Sequence, residues 1–188
     1  MNESLCESWF SDRFDEHIEA ARRLTTIIEP VEVAGNALAD AFHCGGHAYF
    51  FGNGGSAAQA EHFAAELSGR FQRDRPSLPA VALSSNSAYV TAVSNDYGYE
   101  TVFARALGTC ANPGDVAIGI STSGTSPNIV EGLKAASNSN LLTIGLTGSN
   151  KTAVKPWCGV LLSVPADRTA RVQELHLICG HSLCKVVE

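Results

Sequence analysis

Residues 48–71 read Ala-Tyr-Phe-Phe-Gly-Asn-Gly-Gly-Ser-Ala-Ala-Gln-Ala-Glu-His-Phe-Ala-Ala-Glu-Leu-Ser-Gly-Arg-Phe. The run Ala48–Phe51 is continuously apolar, which predicts a strand covered on both faces. It ends in Gly52-Asn53-Gly54-Gly55-Ser56, and an alanine-rich helix follows at once. Glycines let the backbone turn sharply and let a ligand come close. Ser56 reads as the N-cap of that helix, and helix N-termini attract anions. His62 and Glu66 stand four residues apart, so an imidazole and a carboxylate share one helix face below the glycine turn.

Working outward, the same strand–turn–helix pattern repeats. Strands are predicted at 47–51, 80–84, 115–120, 141–146 and 160–164, and helices at 56–70, 87–94, 98–108, 126–138 and 169–187. Their alternation implies a parallel sheet with right-handed crossovers, hence one doubly wound α/β domain over residues 1–188. Residues 1–45 precede the first strand, and 46–188 form the α/β core. An amphipathic helix is read over 8–28, with Trp9, Phe10, Phe14, Ile18, Ala21 and Leu24 near helical spacing. A second helix begins at Pro30 and runs to about His43, ended by Gly45-Gly46. The apolar face of these two helices suits packing between subunits.

Composition narrows the class. In 188 residues, 45% hydrophobic and 17% charged content fits a globular fold with a full core. A net charge of −6 argues against nucleic acid or an anionic membrane as partner, yet leaves room for an anionic small ligand. No stretch has the ~18–20 apolar residues of a membrane span, and the N-terminus has no signal-peptide pattern. Cys6, Cys44, Cys110, Cys158, Cys179 and Cys184 are scattered without a Cys-x-x-Cys pair, as expected of reduced thiols in a cytoplasmic protein.

In open parallel sheets, ligands bind beyond the carboxyl ends of the strands. Three polar segments fall there: Gly52–Ser56, Ser94-Asn95-Asp96, and Ser121-Thr122-Ser123-Gly124-Thr125-Ser126. The last packs five hydroxyls and a glycine between a strand and a helix, a composition that suits either a phosphoryl group or an ordinary polar turn. It lacks the Gly-Lys-Ser/Thr of a nucleotide P-loop. The turn 52–56 likewise suits a ligand or a plain tight turn. His62 and Glu66 fit either a solvated pair or a carboxylate poised as general base. On the last helix His176 and His181 are five residues apart and diverge by about 140°. They cannot both face one site, and spacing does not choose between them.

These segments occur in a recognisable order. Gly-Asn-Gly-Gly-Ser at 52–56, His-Phe-Ala-x-Glu-Leu at 62–67, Arg-Pro-x-x-Pro-Ala at 75–80, Ser-Asn-Asp at 94–96 and Gly-Asp-Val at 114–116 are followed by three more. These are Ile-Ser-Thr-Ser-Gly-x-Ser at 120–126, Leu-Thr-Gly at 146–148 and Arg-Val-Gln-Glu-x-His at 171–176. The chain resembles the sugar isomerase (SIS) superfamily, and within it the phosphoheptose isomerases, almost from end to end. The resemblance implies a flavodoxin-like SIS domain with a five-stranded parallel sheet and extra N-terminal helices. It implies a homotetramer with active sites at subunit interfaces. It also implies conversion of D-sedoheptulose 7-phosphate to D-glycero-D-manno-heptose 7-phosphate, the first step of nucleotide-heptose synthesis.

By motif position, Glu66 and His181 match the acid–base pair, which selects His181 over His176. Asn53, Gly54, Gly55, Ser56, Glu66, Asn95, Asp96, Ser121, Thr122, Ser123, Ser126 and Gln173 match substrate contacts. Several relatives bind zinc through residues matching His62, Glu66, Gln173 and His181, although Gln173 and His181 are separated by about 12 Å of helix rise. A related branch partners the replication initiator DnaA and lacks the equivalents of Glu66 and His181. This chain keeps both. An isomerase of another sugar phosphate is the remaining alternative, with residues 85–92 setting pocket length.

Overall fold

The computed structural model describes residues 3–188. Five strands form one parallel sheet: β1 (Ala48–Gly52), β2 (Ala80–Ala82), β3 (Val116–Ser121), β4 (Leu142–Thr147) and β5 (Val160–Ser163). Their order is β2-β1-β3-β4-β5. The chain therefore winds outward in both directions from the β1–β3 pair, whose register sets Ala48 beside Val116 and Gly52 beside Ile120. The loops after β1 and β3 leave the sheet at this topological switch, the place where such folds bind ligands. The doubly wound, five-stranded parallel architecture expected from the alternation is present.

Among the described residues, seven α-helices surround the sheet: α1 (Glu3–Arg22), α2 (Ile28–His43), α3 (Gly55–Ser68), α4 (Ser87–Tyr97), α5 (Val102–Cys110), α6 (Pro127–Asn138) and α7 (Thr169–Val187). Leu38 of α2, Phe63 and Leu67 of α3 and Leu175 of α7 are buried with Phe50, Ile118 and Ile144 in one core. Phe103 of α5 and Ile129 and Leu133 of α6 are buried with Phe51 and Ala117 in the other. Neighbouring strand residues thus point to opposite cores, which is why β1 and β3 are buried at every position.

Several boundaries differ from the sequence reading. The first helix ends at Arg22 and continues as a 3-10 turn over Arg23–Ile27. The second starts at Ile28, two residues before Pro30. Helix α4 runs past the polar Ser94-Asn95-Asp96 to Tyr97, and Gly98 stops it with φ +87°, a conformation glycine adopts without strain. Ser56 is not the N-cap of α3. That role falls to Gly54, whose φ of +54° turns the chain so that the helix already begins at Gly55; Ser56 is buried in its first turn.

Candidate active site

Helices α3 and α7 lie side by side and run in the same direction. At the upper end the Gln173 side chain covers Gly55, where any Cβ would overlap the amide. One turn below, the Gln59 amide donates to the Gln173 carbonyl at 2.6 Å. Lower still, the ring of Phe63 fills the space a Cβ would take at Gly180. Glycine inside a helix costs about 0.5–1 kcal/mol relative to alanine. Here it permits a contact between helices that no other residue allows.

That close approach brings the polar groups together. His62 Nε2 of α3 lies 2.8 Å from His181 Nε2 of α7, so one ring donates a proton to the other's lone pair. Glu66 Oε1 is 3.6 Å from His62 Nε2, and its side chain is three-quarters buried. Ligand atoms of His62, Glu66 and His181 all fall within 4.8 Å of one another. The arrangement supplies a base, a proton relay and a donor set of two imidazoles and one carboxylate. Gln173, grouped with them by motif position, has its side chain against Gly55, about two helical turns higher along α3.

Helix α7 also carries three groups held neutral by burial. Burial pushes the thiols of Cys179 and Cys184 up to about 12; for Cys184 the nearby charges of Glu66 and Glu188 add to the effect. Neither is a thiolate nucleophile near neutral pH. His176, on the same helix as His181, is fully buried, and burial pulls it down to about 4. It faces away from the Glu66 cluster, as the divergence of the two histidines required.

A second group of polar side chains stands at the carboxyl end of the central strand, β3. Ser121 ends β3 and is buried; its hydroxyl donates to Ser126 Oγ at 3.1 Å and lies 3.4 Å from Ser123 Oγ. Ser123 Oγ also accepts from the amide and hydroxyl of Thr125. Gly124, at φ +65°, lets the Asn150 carbonyl pack directly against the loop. Ser126 is the N-cap of α6 but makes no side-chain capping bond, so its hydroxyl faces the loop. The result is a ring of hydroxyls at a helix N-terminus, suited to a phosphoryl group. Thr122 belongs to this loop, and its carbonyl accepts from Gly148. Asn95 and Asp96 are exposed near the end of α4, joined by a 2.8 Å bond from the Asn95 amide to the Asp96 carboxylate.

Two residues here escaped the sequence reading. Asn128 is buried and exchanges two 2.8 Å hydrogen bonds with Asn53, amide to carbonyl in both directions. Tyr99 donates to the same Asn53 oxygen at 2.7 Å. The Asn53 oxygen is thereby filled, and one amide hydrogen is left for a ligand. The pair ties the glycine turn after β1 to the serine loop after β3. No local motif announces this, since the partners are 75 residues apart.

A glycine turn and a hydroxyl-rich loop meeting at the switch point of a 2-1-3-4-5 sheet define a SIS-domain protein, and the family model described as SIS domain matches residues 14–148. Among relatives, a phosphoheptose isomerase of Solidesulfovibrio magneticus is 49% identical over 89% of this chain and 82% of its own length. One from Roseiflexus sp. is 42% identical over 96% and 92%. The phosphoheptose isomerase GmhA of Neisseria gonorrhoeae superposes with a TM-score of 0.91 at 36% identity, covering 97% of this chain and 98% of that one. The chain belongs to the phosphoheptose isomerase family of SIS-domain proteins.

Proposed function

We propose that this chain converts D-sedoheptulose 7-phosphate to D-glycero-D-manno-heptose 7-phosphate through an enediol, supplying nucleotide-heptose synthesis. The convergence of Glu66, His62 and His181 from two helices more than 100 residues apart in sequence carries the reading. The serine loop 121–126 holds the phosphate, with Asn53, Gly54, Gly55, Ser56, Asn95, Asp96 and Gln173 lining the rest of the sugar. Anchoring the remote end orients the reacting carbons. The Glu66 carboxylate takes a proton from C1 while the C2 oxygen gains one, giving the enediol. Glu66 then returns the proton to C2 as the O1 proton leaves, which yields the aldehyde. His181 carries the oxygen-bound protons, with His62 as its relay partner.

The donor set of two imidazole nitrogens and one carboxylate fits a catalytic zinc ion with an open position. Zinc held by His62, Glu66 and His181 would polarise the sugar oxygens; Gln173, the fourth ligand by motif, lies against Gly55 and outside this donor set. A homotetramer is supported by apolar side chains facing outward on the N-terminal helices and α7: Trp9, Phe10, Phe14, Ile28 and Ile178. An apolar cavity of ≈ 700 Å³ between α2 and α7 reaches His181 from that side. Among the described residues no helix is long and apolar enough to cross a membrane, and the described cysteines are unpaired, as in a reducing compartment such as the cytoplasm.

The reaction is tested by following aldose formation from sedoheptulose 7-phosphate in a coupled assay. Glu66→Gln and His181→Ala each lower kcat by about 10²–10⁴-fold while the protein stays folded. Full activity in either variant removes that residue from the mechanism. Unchanged turnover in protein shown to be metal-free excludes an essential ion.

A further inference from the structure

The acid–base cluster stands at the lower end of the α3–α7 seam, and an unusual set of contacts closes that end. Glu188 follows the last residue of α7. Its carboxylate accepts three consecutive backbone amides from the segment after α3: Phe71 at 3.0 Å, Gln72 at 3.1 and 3.0 Å, and Arg73 at 3.1 Å. The Arg73 guanidinium returns a bond to the Glu188 carbonyl at 3.0 Å. Arg75 completes the knot. Its Nε lies 3.5 Å from Glu188 Oε1, and its guanidinium donates to the Leu67 and Glu66 carbonyls at the end of α3 at 2.8 and 3.0 Å. Charge-assisted bonds of this kind are about twice as strong as neutral ones.

The knot fixes where Phe71 points. Its ring stacks on the imidazole of His181, with centroids 5.4 Å apart and planes 27° from parallel. Phe63 meets His181 edge-on from the other side at 6.3 Å and 80°. The imidazole is therefore held between two aromatic rings, with only its edge left to meet His62. Phe63 is anchored in the core, whereas Phe71 lies on an irregular segment whose backbone is held by Glu188.

We propose that Phe71 is a positioning residue for His181, and that the Glu188 carboxylate acts through it by pinning the 71–73 backbone. The role rests on the acid–base assignment of His181 for its effect on turnover, but the stacking itself does not. Without the ring, the imidazole is free to swing about its side-chain torsions, and proton transfer loses its alignment. Ground-state contacts to the phosphate are untouched.

The test uses full-length protein with carbon-13 at the histidine Cε1 positions, the His181 resonance being assigned by its loss in His181→Asn. Phe71→Leu keeps apolar bulk and removes the ring. It is expected to shift the His181 resonance by loss of ring current and to lower kcat about tenfold, with KM little changed. Phe71→Tyr retains both properties. Glu188→Gln moves both in the same direction by less. An unmoved His181 resonance in Phe71→Leu overturns the proposal, as does wild-type kcat in that variant, or a loss confined to KM. Should Phe71→Leu fail to fold, Glu188→Gln with unchanged resonance and kcat overturns it equally. If the wild-type protein does not isomerise sedoheptulose 7-phosphate, the resonance still decides the stacking, so the two failures are distinguishable.

Discussion

Along the α3–α7 seam, side chains are located by carbon surfaces: Gln173 on Gly55, Phe63 on Gly180, Phe71 on His181. In the loop 121–126 they are located by hydroxyls bonded to one another, with one glycine admitting a neighbouring carbonyl. The contrast follows the chemistry each region performs. Proton transfer depends steeply on distance and angle, and a close-packed interface transmits small displacements directly. A phosphate dianion needs many donors more than a single fixed geometry. Hydroxyls that hold each other in the free protein can rotate to face it without moving the backbone.

This contrast predicts unequal responses to small changes. Gly180→Ala presents the largest effect, because its methyl group collides with the fully buried Phe63 ring. Overpacking costs about 1–3 kcal/mol. The forced separation of the helices lowers kcat by about a hundredfold. Thermal unfolding and steady-state kinetics report the two quantities. A fully active, equally stable variant would mean that the seam yields and that packing does not set the alignment.

In the serine loop, Ser123→Ala removes one donor and leaves Ser121 bonded to Ser126. A hydrogen bond to a charged group is worth about 1.5–3 kcal/mol, so KM rises about tenfold or more while kcat changes little. A loss expressed mainly in kcat would place this loop nearer the reacting carbons than the phosphate.

The smallest effect on turnover belongs to His176, which shares α7 with His181 but faces the sheet. Burial holds its folded-state value at about 4 against an ordinary value of 6.5, with the Thr147 backbone acting weakly in the opposite direction. Below pH 6.5 the unfolded chain binds a proton that the folded chain refuses. Stability from this group is therefore complete above pH 6.5 and is lost as pH falls towards 4, by on the order of 3 kcal/mol. His176→Leu should flatten that part of the stability–pH curve while leaving kcat at neutral pH within about twofold, since a sheet-facing volume-conserving change stays local. Chemical unfolding at several pH values checks it. An unchanged slope would show that His176 does not supply the acid sensitivity.

How far the sequence revealed these features depends on the range of the interactions. The five strands were legible to within about two residues, because continuous apolar runs between glycines leave few alternatives for a doubly covered sheet. The serine loop was legible as a polar segment between strand and helix, though its hydroxyl ring was not. Ser56 misled because serine is a common N-cap, while the left-handed turn at Gly54 starts the helix one residue earlier. The His62–Glu66 pair could be placed on one face, but spacing alone supplied no reason for His181 to join it; the motif match did. Gly180, Phe71, Asn128 and Tyr99 act through partners 46 to 117 residues away, so no window along the chain contains them.

The parallel alignment of α3 and α7 makes the pair a ruler. Gly55 meets Gln173, Phe63 meets Gly180 and His62 meets His181, so each contact keeps nearly the same offset along both helices. Between them, surface turns other than the 71–75 segment and the ligand loops can lengthen or shorten without consequence for the chemistry. One residue gained or lost inside either helix rotates everything beyond it by about 100°, and every contact below that point is lost together.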